Sequence, residues 1–391
     1  MSGVLIAADG APWESEALAF LNSSTDFGLE RRCVDVADLL SAAQTGDAVA
    51  ALISLDLPGL DADIVYRLFQ SHVHPVAVDG ETNRCAALGI TTRLGIGELS
   101  ALADLLPRAE VQVDDALPAV GAGALVAVWG PGGAPGRSTV ALGLADAWAR
   151  EGLRTILVDA DPYGGAIAQM LGVLDEVSGL LAASRAANEG RAAELTEHLY
   201  GVSDRLAVLT GLPRPDLWSQ VRTGAAQRLL GQLRTDSDVS VLDVGFCLED
   251  AGSFDSAAPR RNQLTLQSLE EADHVVAVGR ADPVGLTRLV RGLHDLDSAI
   301  PSAEVSVLIN MTRATIGWSE AEIADTVERL TGRKAQAFLP LDQSAVDEAL
   351  INGRLLGESR TDSRLAKALN KFAQEWATQH LKVRPLSAAG R

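Results

Sequence analysis

Residues 124–162 constrain this chain more than any other stretch: ALVAVWGPGGAPGRSTVALGLADAWAREGLRTILVDADP. Ala124 to Trp129 is an apolar run bounded by glycines, the pattern of a strand buried on both faces in a parallel sheet. A glycine-rich turn runs from Gly130 to Gly136. Arg137-Ser138-Thr139 then opens a helical pattern in which Val140, Leu144 and Trp148 recur, and Gly152 stops it. Arg154 to Asp159 is a second apolar strand ending in acids. Strand, glycine loop, helix and strand make a βαβ unit, and its loop lies where a phosphate-binding loop belongs.

The residue types follow from the chemistry of an anion. A phosphate needs close backbone approach, so the loop must be short of side chains and free to take positive φ. Successive N–H groups and the helix N-terminus then turn positive potential toward it. Gly130, Gly132, Gly133, Ala134, Pro135 and Gly136 are the expected cradle, continued by Arg137, Ser138 and Thr139. Ser138 is placed to offer its hydroxyl to Mg²⁺, and Arg137 stands where a lysine is usual. The spacing also departs from the common pattern, because the position five before Gly136 is Pro131. Helix packing or a dinucleotide fold also places glycines ahead of a helix. The Arg-Ser-Thr run and the acidic strand end favour nucleotide phosphate.

Further acids recur at strand ends. Asp159-Ala-Asp161-Pro162 falls at the carboxyl end of a strand, the crevice where doubly wound sheets bind ligands. Asp161 is positioned to orient an attacking water and Asp159 to reach the metal shell; an acidic turn that merely ends a strand is the competing reading. Val239 to Gly245 reads as another strand, with Asp243 near its end as a candidate Mg²⁺ ligand.

A length of 391 residues suggests two or three domains with ample core. The net charge of -19 is spread along the chain, which argues against a nucleic-acid partner needing clustered Lys and Arg. Cys33, Cys85 and Cys247 are odd in number and far apart, so buried thiols in a reducing cytoplasm are expected rather than disulfides or zinc. No signal peptide is evident, and no apolar run approaches the roughly 20 residues of a membrane-spanning helix. A cytoplasmic protein is expected, with peripheral membrane contact left open.

Residues 1–107 alternate strands (Val4–Ala8, Leu29–Val34, Val49–Leu55, Pro75–Val78) with helices (Glu14–Leu21, Val36–Ala43, Ala62–Phe69, Glu98–Leu106), which predicts a small α/β domain. Residues 108–123 read as a linker around Pro118 and Gly121 to Gly123. Residues 124–382 form the second domain, whose strands also include Leu206–Leu209, His274–Gly279, Val305–Asn310 and Ala337–Leu339. Seven such strands predict one doubly wound, mostly parallel sheet. Arg260-Arg261-Asn262 reads as part of a solvated loop. A last helix near Asp362–His380 carries Leu365, Leu369, Phe372 and Trp376 on one face, and residues 383–391 are a tail.

The third strand of the first unit ends Leu-Asp56-Leu-Pro58-Gly59-Leu-Asp61, which resembles the phosphoacceptor region of response-regulator receiver domains. Residues 1–107 contain no lysine, so the resemblance implies a degenerate, flavodoxin-like receiver used for docking rather than phosphoryl chemistry. The second unit resembles the MinD/ParA class of P-loop ATPases. The matching features, in order, are the phosphate loop, Asp159-Ala-Asp161-Pro162 with Gly164-Gly165, and the strand ending in Asp243. Ala281-Asp282-Pro283, Asn310 and Leu339-Pro340-Leu-Asp342 follow. A receiver-like unit ahead of such an ATPase looks like the CpaE/TadZ branch. The resemblance implies ATP and Mg²⁺ as cofactors, with Asn310, Pro340 and Asp342 around the adenine. It implies a homodimer whose partners belong to a Flp/Tad pilus, a secretion machinery or a division site, held at a pole or septum. The family's signature lysine would fall at Gly132, and with Arg137 replacing the second lysine the expectation is slow hydrolysis or binding without turnover.

Overall fold

The computed structural model describes residues 2–105, 123–133, 135–173, 177–250 and 260–381. Ala134, nearly all of the expected linker and the tail lie outside the described residues. Two sheets organise the chain. The first contains β1 (Ser2–Ala7), β2 (Phe27–Arg32), β3 (Ala48–Ile53), β4 (His74–Val78) and β5 (Thr92–Leu94), all parallel, in the order β2-β1-β3-β4-β5. Around it lie α1 (Glu14–Ser23), α2 (Val36–Thr45), α3 (Ala62–Gln70), α4 (Thr82–Leu88) and the single turn α5 (Leu102–Leu105).

The second sheet holds β6 (Ala124–Trp129), β7 (Thr155–Ala160), β8 (Tyr200–Gly201), β9 (Leu206–Leu209), β10 (Val239–Val244), β11 (His274–Arg280), β12 (Val305–Thr312) and β13 (Ala335–Pro340). Their order is β13-β12-β11-β6-β10-β7-β9-β8, and only the two-residue edge strand β8 is antiparallel. The helices between them are α6 (Arg137–Arg150), α7 (Ile167–Met170), α8 (Gly179–Asn188), α9 (Thr223–Asp236), α10 (Gln263–Glu271), α11 (Pro283–Ala299), α12 (Glu320–Thr331), α13 (Gln343–Asn352), α14 (Leu356–Ser359) and α15 (Arg364–His380).

The central strands are buried on both faces because they are almost wholly aliphatic; β6, β7 and β10 hold no residue outside the interior except Ala124. One face packs on α8, α9 and α11, the other on α6 and α15. Gly143 lets α15 close on α6, since a Cβ there would stand 2.5 Å from a Leu369 methyl. Trp148 donates its indole N–H to the Ala373 carbonyl at 3.0 Å, and its ring lies 4.9 Å from that of Trp376. Leu365, Leu369, Phe372 and Trp376 are all buried, so the stripe on the last helix faces the core.

The expected strand Leu29–Val34 ends earlier, at Arg32, and Val34 is exposed. Strand β5 and helix α4 went unanticipated. Thr-Arg-Leu buries only Leu94, and Thr82–Leu88 buries only Cys85 and Leu88, which is too little apolar pattern to register. The two sheet units meet through α3 and α9. Asp63 accepts the Gly224 N–H at 2.9 Å, and Arg228 donates to the carbonyls of Ala87, Leu88 and Ala187.

Candidate functional site

The carboxyl ends of β6, β7 and β10 converge on the glycine loop. The backbone of that loop leaves β6 so close to β11 that a Cβ on Gly130 would stand 2.4 Å from the Val278 carbonyl. Gly133 has φ +114° and Gly136 φ +93°, both in the left-handed region that side chains oppose. Gly136 then caps α6, a helix of 14 residues whose first-turn amides are open toward the loop. From below, buried Asn310 at the end of β12 donates its amide to the Pro135 carbonyl at 2.8 Å. The Asn310 side-chain oxygen accepts from the Met311 N–H, so both ends of the amide brace the loop and its own strand end.

Parallel register puts Asp243 on β10 level with Asp159 on β7 and Val128 on β6. Asp243 is fully buried, and among the described residues neither of its carboxylate oxygens has a hydrogen-bond partner. Burial, reinforced by Asp159, pushes its carboxyl up, while the Ser138 hydroxyl and the Arg137 guanidinium draw it down. Asp159 is also raised by burial, and its Oδ2 accepts the Ile167 N–H at 3.1 Å in the turn after β7. Its Oδ1 is unpartnered. Two facing buried acids with orphaned oxygens, next to a half-buried serine hydroxyl, form an oxygen-rich set that suits a hard divalent cation such as Mg²⁺.

Arg137 and Asp161 are brought together, but with each other. Arg137 Nη2 donates to Asp161 Oδ2 at 3.3 Å and Nη1 to the Gly130 carbonyl at 3.2 Å. Asp161 Oδ1 accepts the Tyr163 N–H at 2.9 Å. The guanidinium also lies 5.9 Å from the Phe246 ring, which packs near Gly132 and against Tyr163. Thr139 is half-buried in the first turn of α6. Pro340 ends β13 beside Thr312. The Asp342 carboxylate accepts the Ser363 hydroxyl at 2.8 Å and the Arg364 N–H at 3.0 Å, at the start of α15.

Three arginines went unnoticed in the sequence. Arg288, one turn into α11, donates to the Gly132 carbonyl at 3.3 Å, and its guanidinium fills the space a Cβ on Gly133 would take. With Arg280 and Arg313 it lines a cavity of about 340 Å³ on the α11 side of the loop. Arg280 pairs with Asp282, which itself caps α11 by accepting the Gly285 N–H. Arg288 is 156 residues from Gly132, so no local pattern announces the contact. Nor is Arg261 simply solvated: it lies over the rings of Tyr163 and Trp218 at 5.3 and 5.5 Å, and Tyr163 donates its hydroxyl to Asn262.

No family model matches the chain. The Maintenance of carboxysome distribution protein A of Synechococcus elongatus is 28% identical over 165 residues, which are 41% of this chain and 60% of that protein. A ParA family ATPase from Chlorobium tepidum TLS superposes with a TM-score of 0.55 at 18% identity, covering 65% of this chain and 99% of its own. The septum site-determining protein MinD of Pyrococcus horikoshii OT3, solved with Mg-ADP, gives 0.52 at 17% identity over 67% of this chain and 99% of its own. The larger, mostly parallel sheet with its glycine loop therefore has the fold of the MinD and ParA P-loop ATPases.

Proposed function

We propose that this chain is an ATP-binding, weakly hydrolysing switch of the MinD/ParA kind that positions a cellular assembly. The observation that carries this reading is the orphaned, fully buried Asp243 beside Ser138 at the mouth of a glycine loop capped by Gly136. An unpaired buried carboxylate is costly unless a cation arrives. Mg²⁺ supplies charge neutralisation when bound, and Ser138, Asp243 and Asp159 would hold it. Gly130, Gly132, Gly133, Ala134, Pro135, Gly136 and Thr139 would meet the phosphates. Arg288 adds a cation above Gly132, where the family's signature lysine is missing.

On this reading the protein is a cytoplasmic homodimer acting at a pole or septum. Residues 1–107 are a receiver-like docking unit, joined by a linker at 108–123 to the ATPase domain at 124–382. Strand order 2-1-3-4-5 is the flavodoxin-like one that receivers share. Exposed Asp56 accepts from Arg84 at 2.7 Å, and no lysine is at hand for phosphoryl chemistry. The assembly served is a Flp/Tad pilus, a secretion machinery or a division site; the net charge of -19 weighs against DNA.

A second reading, a localising scaffold that binds nucleotide without turnover, draws on the Arg137–Asp161 pair, in which the charge meant for phosphate and the acid meant for water engage each other. Phosphate release from the purified chain beside Asp161→Ala separates the two. A wild-type rate at least tenfold above the variant supports the switch. Equal rates leave the scaffold.

A further inference from the structure

At the opposite, amino-terminal edge of the larger sheet, three side chains converge that nothing in the nucleotide site uses. His274 opens β11, Glu304 directly precedes β12, and His380 closes α15. One ligand atom from each lies within 4.8 Å of the other two. His380 Nδ1 lies 2.9 Å from the Trp376 carbonyl, which can only accept, so Nδ1 carries a proton and Nε2 is left to face the cluster. That Nε2 faces Glu304 Oε1 at 3.3 Å. His274 Nε2 is taken up by Ser306 Oγ at 2.8 Å, while its Nδ1, in a side chain 3% exposed, has no hydrogen-bond partner among the described residues and lies 3.9 Å from the same Glu304 oxygen.

We propose that His274, Glu304 and His380 form a binding site for a divalent transition-metal ion, Zn²⁺ foremost. Two imidazole nitrogens and a carboxylate oxygen are a donor set that zinc accepts, with a fourth position for water. Donors about 2.0–2.1 Å from a tetrahedral zinc stand about 3.3 Å apart, which the Glu304–His380 edge already matches. The remaining closure falls to Glu304 and His380, the two side chains that reach solvent, at 65% and 25% exposure. Each histidine has its other nitrogen held by a second group, the Trp376 carbonyl and the Ser306 hydroxyl, as metal-ligating histidines do. Trp376 stacks on the His380 ring at 4.8 Å and 16° between rings, which keeps that ring beside the cluster.

A proton on His380 would relieve only one of these contacts and leave His274 Nδ1 without a partner. A metal ion satisfies all three atoms together. Bound metal would fasten the last turn of α15 to the first residues of β11 and β12, steadying the layer that packs behind α6. The site is independent of the nucleotide reading and stands or falls without it.

The test is a calorimetric titration of ZnCl₂ into the untagged, chelator-stripped full chain, repeated with His380→Ala and Glu304→Gln. Circular dichroism checks that the variants stay folded. Expected are one Zn²⁺ per chain at micromolar affinity or tighter, a higher Tm with metal, and weakening on the order of 100-fold or more in His380→Ala. Co²⁺ in place of zinc should give the visible bands of a tetrahedral nitrogen and oxygen site. No stoichiometric uptake, uptake unchanged in both variants, or a thiolate-to-cobalt charge-transfer band would overturn the assignment.

Discussion

Arginine at position 137, like Pro131 and Gly132 before it, separates this loop from the lysine-bearing pattern. A lysine ammonium is a compact point charge on a flexible stem, whereas the guanidinium is a planar fork that must align with its partners. Here the fork is already spread between the Gly130 carbonyl and Asp161, with its Nε buried and unpartnered. Reaching a phosphate means giving up both contacts. Arg137→Lys should therefore raise ATP-dependent phosphate release by about 10- to 100-fold, up to the lower end of the roughly 100- to 1000-fold that a single electrostatic stabiliser commands. An unchanged or lower rate, read by a coupled phosphate assay, would mean that this exchange does not limit turnover. Arg137, Ser138 and Asp243 were all visible in the sequence, because glycines before a helix and acids ending strands are local signals. Arg288 was not, since its proximity to Gly132 exists only once α11 has packed beside β6.

Among the elements, α3 and α9 carry the join between the two sheets. Asp63 is buried there with Arg67 and Arg222 at 3.9 and 4.0 Å, and burial still raises its carboxyl above the ordinary range. A raised acid means that the folded chain holds its proton more tightly than the unfolded one. Stability from this group is therefore intact below the ordinary carboxylate value of about 3.9 and declines as pH rises from there through the raised folded value. Asp63→Asn keeps an acceptor for the Gly224 N–H and removes the charge, so it should flatten this part of the pH dependence in urea melts. Asp63→Ala should cost about 1–3 kcal/mol by stranding that N–H. A wild-type slope identical to that of the Asn variant would contradict the assignment. At this scale, long apolar strands and the striped last helix were legible because periodicity and burial coincide. Strand β5, the edge strand β8 and helix α4 were not, because their neighbours rather than their own residues hold them in place. The carboxylate of Asp342 accepts from Ser363 and from the first amide of α15, a contact 21 and 22 residues away in sequence that no local pattern announces.

For the whole molecule, the larger sheet brings a glycine loop and two unsatisfied acids to one edge and the His274, Glu304 and His380 cluster to the other. The smaller sheet is tied to its flank through Asp63 and Arg228 rather than to the loop. That two α/β units follow one another was readable from the alternation of strands and helices; that they pack through α3 and α9 was not, because Asp63 and Gly224 are 161 residues apart. The most direct measurement is a calorimetric titration of ATP into the full chain, with and without Mg²⁺, beside Asp243→Asn. The expected result is one site per chain that Mg²⁺ tightens at least tenfold in the wild type and leaves unaltered in the variant. No heat of binding at millimolar ATP from folded protein would contradict the claim that this loop holds a nucleotide.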